Sequence, residues 1–520
     1  MLFMAFLSLL VCGAFRTAST QDDASARARR GRQIYLRGTS PAGKEILTYI
    51  GDQSLEVPGA SMPCANCHGV DGKGKPEGGI NPSNITEEFL SKPYLSTQAY
   101  GRKHPPYNER GLELAITRGL DPAGNKLLTV MPRYVMSRED LADLIFYLAR
   151  LGKDRDPGIT ENTLVIGLVI PAKGSLAEMG QAVKAVVAAY FDEVNKAGGI
   201  YNRQLQLKIV ETGETPAATR QSIEEFLASE QVFALTSSFI AGAEKELLPV
   251  FSEKEIPVVG PLTLNPGTTF PLNRQVFYLL SGIETQQRVL AEFAAAKPEI
   301  KRSGLAVVYS GNNSDPLVQA IQQQAKKLGL PEPQAITYIS NRFEPSEIIK
   351  QIRQAKREAV FLLGTPDENM SFLREAESAN WFPYIFLTAA GPQLLDAPPG
   401  FDGRVFIAFP TSPADQTDEG TKEFRDLASR HQLPTKHLAA QVSSYSAAKV
   451  LVEGLKRTGK DLSREKLIQT LEELFEYRTG LTPAITYGPN RRIGAMGSYV
   501  VTIDLKQRKF VPASNWIGIY

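Results

Sequence analysis

Two cysteines and a histidine stand close together in the sequence, and their spacing points to one kind of chemistry. Cys64 and Cys67 lie one helical turn apart, and His68 follows directly, which gives the pattern Cys-x-x-Cys-His. Two thiols at this spacing can add to the two vinyl groups of a single porphyrin, and the adjacent imidazole can then bind its iron. The pattern therefore predicts covalent attachment of one c-type haem, with His68 as an axial ligand.

Two other kinds of site use the same residue types. A structural zinc site needs four ligands, usually from a second Cys or His pair, and the one further cysteine of the chain is Cys12 near the N-terminus. A thiol–disulfide pair normally begins a helix that follows a strand, whereas no strand-like sequence precedes Pro63. Both alternatives are weaker than haem attachment.

A six-coordinate haem iron needs a second axial ligand, and a methionine further along the chain can supply it. Met131 stands before a proline in a loop that leads to Ser137, a residue typical of a helix N-cap. Met136 is the second choice for this ligand. His104 would give bis-histidine ligation, and a solvated loop residue is the alternative for it. Because His/Met ligation leaves no open position on the iron, we predict electron transfer rather than catalysis.

The residues around this motif resemble the class I cytochrome c family. The resemblance covers about residues 30–151 and includes the Met-Pro loop and the last helix of that family. It implies an all-α haem domain, which we place at residues 21–151. By the same resemblance, the thioether cysteines are Cys64 and Cys67. The proximal ligand is His68, and the distal ligand is Met131.

Three features beside the motif need their own interpretation. Residues 41–60 have no counterpart in the family pattern, so we expect an insertion that covers one haem edge. The glycine-rich segment 69–76 lacks the Gly-Lys-Ser/Thr ending of a phosphate-binding loop, and we expect it to wrap around the porphyrin. Four cations are candidates to pair with the haem propionates or to dock an electron-transfer partner, with solvated charge as the alternative: Arg102, Lys103, Arg118 and Arg133.

Length and composition place this motif in a larger globular protein. With 520 residues, the chain is long enough for about three globular units. Its 42% apolar residues exclude wholesale disorder. Lys and Arg number 58 against 56 Asp and Glu, so the net charge does not favour nucleic acid as a partner.

The N-terminus is typical of an export signal. Residues 2–15 are mainly apolar, form a stretch shorter than the ~20 residues of a membrane-spanning helix, and precede small residues and then Gln21. We therefore predict a signal peptide over residues 1–20 and a periplasmic protein. Because no Lys or Arg precedes the apolar stretch, a misassigned start and an uncleaved N-terminal membrane anchor are alternatives, and the presence of Cys12 makes lipidation a third.

Beyond a polar linker at residues 152–162, strand-like and helix-like stretches alternate. Apolar runs separated by helices predict parallel sheets with helices on both faces. The roughly 360 residues exceed what one core holds, so we expect two α/β lobes over residues 163–520, split near residues 283 and 410. The longest predicted helix covers residues 177–196. The predicted strands are residues 164–170, 205–210, 233–235, 257–259, 305–309, 360–363 and 384–387.

This second region resembles the type I periplasmic substrate-binding proteins, in particular the branched-chain amino acid and amide-binding family of ABC transport systems. The match runs from Leu164 to the C-terminus and depends on the order of several short motifs: Pro171-Ala172-Lys173-Gly174, residues 191–200, residues 256–263 and residues 444–450. The resemblance implies two lobes that close over a small organic ligand at the carboxyl ends of their strands.

The same resemblance assigns five residues to this ligand: Ser237, Ser238, Thr263, Glu284 and Glu368. The first three would hold a ligand carboxylate from the first lobe. The two acids match positions that hold a ligand ammonium, and a solvated surface carboxylate is the alternative for each. The family's cleft tyrosine has no counterpart at residues 312–314, so an amino acid is only one candidate ligand.

Two functions follow from the two regions. In the first, the chain is a periplasmic electron carrier and not an enzyme, and its binding module senses or docks a substrate of a redox partner such as a quinoprotein dehydrogenase or a terminal oxidase chain. In the second, it is the receptor of an ABC transporter and delivers an amino acid, an amide or a related ligand to an ABC permease, with the haem domain as an accessory. The transport role rests on fold-level analogy, so the first function ranks higher.

Overall fold

A computed structural model of the chain shows two units, one that ends at Asp156 and one that begins at Pro157. The predicted signal peptide and Cys12 lie outside the described residues. Within the part of the chain that is described, no helix has the length and apolarity needed to cross a membrane. The structure describes residues 24, 26–51, 55–95, 102–267, 269–311, 315–339, 342–389, 391–412 and 415–519.

The first unit is built mainly from helices. They are α1 (26–37), α2 (Cys64–His68), α3 (Glu87–Leu90), α4 (Glu109–Arg118) and α5 (Arg138–Leu148). Helix α5 begins at the predicted cap, where the Ser137 hydroxyl accepts a hydrogen bond from the Asp140 amide at 3.1 Å. Apolar side chains of α1, α4 and α5, among them Tyr35, Ile116 and Leu144, meet in one core.

Two small antiparallel sheets accompany these helices, and the expectation of an all-α unit did not include them. The strands are β1 (Leu47–Ile50), β2 (Leu55–Pro58), β3 (Tyr94–Leu95), β4 (Lys103–His104) and β5 (Arg133–Val135). Strand β1 lies between β2 and β5, and β3 pairs with β4. The predicted insertion at residues 41–60 therefore folds as a hairpin, because Thr48, Tyr49 and Ile50 favour extended backbone.

The second unit begins with a lobe built on a parallel sheet. Its strands are β6 (Thr163–Ile170), β7 (Gln204–Glu211), β8 (Ala234–Thr236), β9 (Val258–Val259), β10 (Val276–Leu280) and β16 (Ile493–Ala495). They lie in the order β16-β10-β9-β8-β6-β7, and each neighbouring pair is parallel. The helices of this lobe are α6 (Ala177–Lys196), α7 (Pro216–Ser229), α8 (Glu244–Glu253), α14 (Asp418–Arg430), α15 (Leu438–Thr458) and α16 (Arg464–Glu472).

The other lobe has a mixed sheet. Its strands are β11 (Leu305–Ser310), β12 (Gln334–Tyr338), β13 (Ala359–Leu362), β14 (Tyr384–Leu387), β15 (Val405–Phe409), β17 (Gly497–Asp504), β18 (Lys509–Pro512) and β19 (Ile517–Gly518). The order is β12-β11-β13-β14-β15-β17-β18, with β19 on β17, and the pairs from β15 onward are antiparallel. The helices are α9 (Ile283–Ala295), α10 (Pro298–Ser303), α11 (Asp315–Lys327), α12 (Pro345–Gln354) and α13 (Pro366–Ser378).

The chain crosses between the two lobes three times. It crosses after β10, again between β15 and α14, and a third time at Met496, between β16 and β17. The sequence-based division near residues 283 and 410 does not include this third crossing, where one residue separates β16 from β17. The seven strands and the long helix predicted for this region all occur, with ends within one residue of the prediction, which confirms the two-lobed α/β fold.

Candidate haem site and ligand cleft

Cys64, Cys67 and His68 all lie on the short helix α2. Both thiols are free and half-buried. The glycine-rich loop folds back on this helix, because the amides of Gly74 and Lys75 donate to the carbonyls of His68 and Cys67, both at 2.8 Å. The loop therefore holds the C-terminal end of α2 in place, and it does not join a strand to a helix as a phosphate-binding loop would.

The His68 ring is held in one orientation. Its Nδ1 lies 2.9 Å from the carbonyl oxygen of Ser83, which can only accept, so Nδ1 carries the proton. Nε2 is then the nitrogen left to bind a metal. Burial lowers the pKa of His68, although the bond to Ser83 opposes this effect. The environment therefore favours the neutral imidazole, which is the form that ligates iron.

Two tyrosines surround Cys64. Tyr134 contacts the thiol, and its hydroxyl donates to the Met62 carbonyl at 2.7 Å. The Tyr35 hydroxyl donates to the Gly69 carbonyl at 2.6 Å. Burial raises the pKa of the Cys64 thiol to about 11. A thiol that stays protonated at neutral pH is a poor nucleophile, which counts against the alternative of a thiol–disulfide exchange pair.

Met131 lies half-buried in the loop before β5. Its amide donates to the Leu128 carbonyl at 3.1 Å. Because Tyr134 follows Met131 by three residues and touches Cys64, the chain carries this loop to the side of the haem motif. Met136, the second choice, packs against the apolar core of the unit instead.

His104 is buried, which corrects the expectation of a solvated loop residue. Its ring stacks on Tyr94 with centroids 5.3 Å apart and meets the edge of Tyr107 at 4.9 Å. Its Nδ1 lies 2.8 Å from the carbonyl oxygen of Pro105. The physical reason is local: β3 and β4 bring the imidazole between two aromatic rings.

The four cations near the motif have different surroundings. Arg102 lies 3.5 Å from the buried carboxylate of Asp121. Arg133 donates to main-chain carbonyls of the Met131 loop. Lys103 and Arg118 are exposed. The first two therefore act within the protein, and the last two are solvated surface charges, which is the alternative stated for them.

These observations fit a covalently bound haem. The donors are two free thiols one turn apart and an imidazole whose Nε2 is directed by a hydrogen bond on Nδ1. The Met131 thioether lies three residues before Tyr134, which touches Cys64. Sulfur and imidazole nitrogen are the ligands that haem iron takes in cytochromes c.

In the second unit, Ser237 and Ser238 follow β8 at the carboxyl end of the sheet, and both are buried. The Ser237 hydroxyl donates to the Ser444 carbonyl at 3.0 Å. The Ser238 hydroxyl donates to the Thr236 carbonyl and accepts from the Val169 amide, both at 3.2 Å. The two hydroxyls thus tie β8 to α15 and to β6.

Thr263 and Glu284 are engaged within the chain as well. The Thr263 hydroxyl donates to the Glu244 carboxylate and accepts from the Asn265 amide at 2.9 Å. Glu284 forms an ion pair with Arg288, one turn along α9, at 3.1 Å. A ligand that used either side chain would have to replace these bonds.

Glu368 holds the N-terminus of α13 in a capping box with Thr365. Its carboxylate accepts from the Thr365 amide at 2.7 Å, and the Thr365 hydroxyl accepts from the Glu368 amide at 3.3 Å. The Tyr338 hydroxyl donates to the same carboxylate at 2.9 Å. Burial and this bond raise the pKa of Tyr338 far above its ordinary value, so the hydroxyl remains a donor.

Sequence reasoning missed three residues at the carboxyl ends of the strands. Tyr338 ends β12 of the second lobe, whereas the family resemblance places the cleft tyrosine at residues 312–314, which lie outside the described residues. Leu264 and Ile339 follow β9 and β12 and are 60% and 66% exposed. The signal that could have found them is position alone, since ligands of such sheets bind where parallel strands end.

Comparison with known families places both regions. The sequence profile of the periplasmic binding protein family matches residues 163–509, and that of the cytochrome c family matches residues 60–152. The Leu/Ile/Val-binding protein BraC3 of Rhizobium johnstonii is 22% identical over 335 residues, which cover 62% of this chain and 87% of that protein. A Leu/Ile/Val-binding protein homolog of Brucella melitensis is 22% identical over 305 residues, covering 57% and 79%.

Solved structures share the fold of the second unit. A fatty acid ABC transporter substrate-binding protein from Thermomonospora curvata is similar with a TM-score of 0.54 and 20% identity, covering 71% of this chain and 95% of that one. A branched-chain amino acid ABC transporter protein from Thermus thermophilus with bound valine gives 0.55 and 17%, covering 69% and 97%. At these identities the likeness shows the fold alone.

Proposed function

This chain belongs to the periplasmic binding protein family over residues 163–509 and carries a cytochrome c domain over residues 60–152, and from that premise we propose that it is a periplasmic electron carrier with a fused small-molecule-binding module. Cys64 and Cys67 bind one haem c covalently, and His68 and Met131 ligate its iron. The binding module senses or docks a substrate of the redox partner that the haem domain serves, such as a quinoprotein dehydrogenase or a terminal oxidase chain.

The observation that carries this proposal is the donor set on α2. Two free thiols and an imidazole oriented by the Ser83 carbonyl lie within five residues of one helix. A bound haem supplies one-electron redox chemistry, and the protein supplies its attachment, orientation and surroundings.

The chain's own residues favour electron transfer over catalysis. The Ser83 carbonyl keeps the proton on Nδ1 of His68 and leaves Nε2 for the iron. Met131 would be the second residue to hold the iron, and a haem held by both residues would have no open position for dioxygen or peroxide. The chain is therefore proposed to be an electron carrier and ligand-binding protein, not an enzyme.

The binding module is proposed to close over a small organic ligand between its two lobes. Three crossings of the chain join the lobes, which supports hinge closure. The serine hydroxyls after β8 are already bonded within the protein, and so is the Ser237 amide, which donates to the Val259 carbonyl at 3.0 Å. The Ser238 amide is therefore the group that would serve the ligand. Thr263 and Glu284 would exchange internal bonds for ligand bonds.

The test is a reduced-minus-oxidised spectrum of protein exported to a periplasm, together with a haem-stained denaturing gel. We expect a c-type spectrum, a charge-transfer band from thioether to ferric iron, and haem that stays with the polypeptide after denaturation. A thermal-stability screen of amino acids, amides and other small organic compounds then identifies the ligand class. Protein matured in a haem-competent host that carries no covalent haem would contradict the proposal.

A second candidate function is that of an ABC transport receptor with an accessory haem domain. The match of residues 163–509 to a family of binding proteins favours it. The haem-free variant Cys64→Ala with Cys67→Ala separates the two, because a transport receptor keeps delivering its ligand to the permease without haem. Loss of electron delivery with intact uptake points to the first function, and loss of uptake alone in a cleft variant points to the second.

A further inference from the structure

The insertion at residues 41–60 is attached to the chain that carries Met131. The inner strand of its hairpin, β1, pairs with β5, which begins two residues after Met131. In the antiparallel register, Leu47 lies opposite Val135, Thr48 opposite Tyr134, and Tyr49 opposite Arg133. Strand pairing therefore fixes the C-terminal side of the Met131 loop.

The hairpin also bonds to the loop itself. The Gly51 amide, at the end of β1, donates to the Thr129 carbonyl at 3.3 Å. Thr129 precedes Met131 by two residues, so the hairpin holds the loop on both sides of the methionine.

A single side chain binds three further carbonyls of this stretch. The Arg133 guanidinium donates to the carbonyls of Met131, of Leu127 at 3.2 Å and of Leu128 at 3.3 Å. A planar guanidinium presents several donors in a fixed fork, which a lysine ammonium cannot reproduce. Gly119, at the end of α4, leaves the space for it, because a Cβ at that position would overlap the guanidinium.

Residues of the hairpin and next to it are buried in the first unit. Ile46 is buried, and its carbonyl accepts from the Gly59 amide at 2.7 Å. Thr48 is fully buried, and its hydroxyl donates to the Val57 carbonyl at 2.9 Å. The hairpin is thus a fixed support and not a mobile flap.

We propose that Arg133 and the hairpin of β1 and β2 form a clamp that positions Met131 as the axial ligand and keeps its loop from opening. This proposal rests on the proposed haem function. Arg133 is a positioning residue, because it acts on the thioether through the loop carbonyls. The role differs from propionate pairing or partner docking, which the sequence suggested for this cation.

The test compares two perturbations of the clamp with two matched controls, all in the full-length haem protein. Arg133→Gln removes the fork, and Arg118→Gln removes the same charge from an exposed site on α4. Gly119→Ala fills the space of the guanidinium. Gly124→Ala imposes the same left-handed strain, since φ is +66° at Gly119 and +84° at Gly124, and its Cβ meets nothing within 4 Å.

The first measurement is carbon monoxide binding to the reduced protein, which reports how often Met131 leaves the iron. We expect Arg133→Gln and Gly119→Ala to bind it about tenfold faster or more, the effect of losing one hydrogen bond to a charged group. Both should also weaken the charge-transfer band from thioether to ferric iron. The two controls should match wild type. If Arg133→Gln binds carbon monoxide no faster than Arg118→Gln, Arg133 does not position Met131.

A second measurement tests the clamp by a signal that does not depend on haem. Amide hydrogen exchange of Gly51 and Met131, whose amides donate to loop carbonyls, should speed up about tenfold in Arg133→Gln and stay unchanged in Arg118→Gln. Unchanged exchange at both amides overturns the clamp even where the wild type carries haem. Wild-type protein without covalent haem, by contrast, overturns the proposed function while the exchange still decides the clamp.

Discussion

The haem unit and the binding unit use their polar side chains in opposite ways. In the haem unit, Cys64 and Cys67 are free, and within the described residues His68 bonds through Nδ1 and not through Nε2. In the binding unit, the side chains assigned to the ligand are bonded to the chain itself, as Ser237 and Glu368 show. A covalent cofactor needs particular atoms at a fixed spacing, whereas a ligand between two lobes can be held by main-chain amides that any residue supplies.

The largest effect should come from removing the thiols. Cys64→Ala with Cys67→Ala should abolish covalent haem, because no thioether can then form, while the thermal response of the second unit to its ligand stays the same. A haem-stained denaturing gel and a ligand-induced thermal shift measure the two outcomes. Cys12→Ala serves as the control, since it removes the remaining cysteine and should retain haem. Haem staining in the double variant would refute the attachment site. It would also show that the free thiols of the haem unit do not have the role that distinguishes them from the bonded side chains of the binding unit.

Removing the thioether should open the iron without releasing the haem. Met131→Ala should give reduced protein that binds carbon monoxide, because an axial position becomes vacant. Met136→Ala should not, since that side chain packs in the core. Absorption spectra of the reduced proteins under carbon monoxide decide between them. Equal binding by wild type and Met131→Ala would show that Met131 is not the ligand.

A buried carboxylate in the haem unit has a structural role of the kind seen in the binding unit. Asp121 is 1% exposed and accepts from the amides of Ala123 and Asn125 at 3.0 and 2.9 Å. Burial favours its neutral form, but the bonds from Asn125 and Ala123 outweigh burial and hold the pKa of Asp121 below its ordinary value. Because the unfolded chain binds the proton more readily, stability from this group is present above about pH 4 and is lost as the pH falls through the lowered folded pKa.

Asp121→Ala should therefore destabilise the first unit by about 2–4 kcal/mol at neutral pH, since it removes several bonds to a carboxylate. It should also flatten the acid side of the stability profile. Thermal unfolding of the first unit between neutral and acid pH measures both effects. Glu113→Ala, which removes an acid from a surface pair with Arg110, is the control and should change stability by less than about 1 kcal/mol. An unchanged acid profile in Asp121→Ala would show that this carboxylate does not set it.

The smallest effect is expected in the binding unit, at a side chain that is bonded within the chain. Glu368→Ala should destabilise the second lobe by about 1 kcal/mol through loss of the capping box. Ligand affinity should stay within a factor of about two, if the carboxylate serves only the helix. Denaturant unfolding and a ligand titration measure the two quantities, and Asp367→Ala, an exposed acid in the same helical turn, is the control. A variant with lower ligand affinity and unchanged stability would show that Glu368 binds the ligand. The two units would then not differ in how they use their polar side chains.

Much of this architecture was predictable because it follows from local patterns. The Cys-x-x-Cys-His motif identifies itself by spacing, and Ser137 caps α5 where the sequence places a cap. Seven strands of the lobes are apolar runs such as Leu164 to Ile170, and the ends of these seven were predicted to within one residue. The other strands of the lobes were not predicted. A pattern of this kind depends on neighbours in sequence, which the sequence displays directly.

The rest depends on contacts between distant residues. The sequence of residues 41–60 does not predict that β1 pairs with residues 133–135, which lie more than eighty positions further along the chain. The burial of His104 between two tyrosines arises from the pairing of β3 and β4, two short strands with no periodic pattern. The engagement of the Ser237 hydroxyl with Ser444 likewise joins α15 to β8 across the sequence.

The third crossing at Met496 has a consequence for the order in which the molecule is completed during synthesis. Strand β16 ends at Ala495 on the edge of one sheet, and β17 begins at Gly497 inside the other. Both sheets therefore wait for the last thirty or so residues, and such long-range pairings form slowly. The described strands and helices of the first unit all precede Asp156. A chain that has emerged only as far as Arg492 thus holds every described element of the first unit and two incomplete lobes, whose open strand edges are exposed to aggregation.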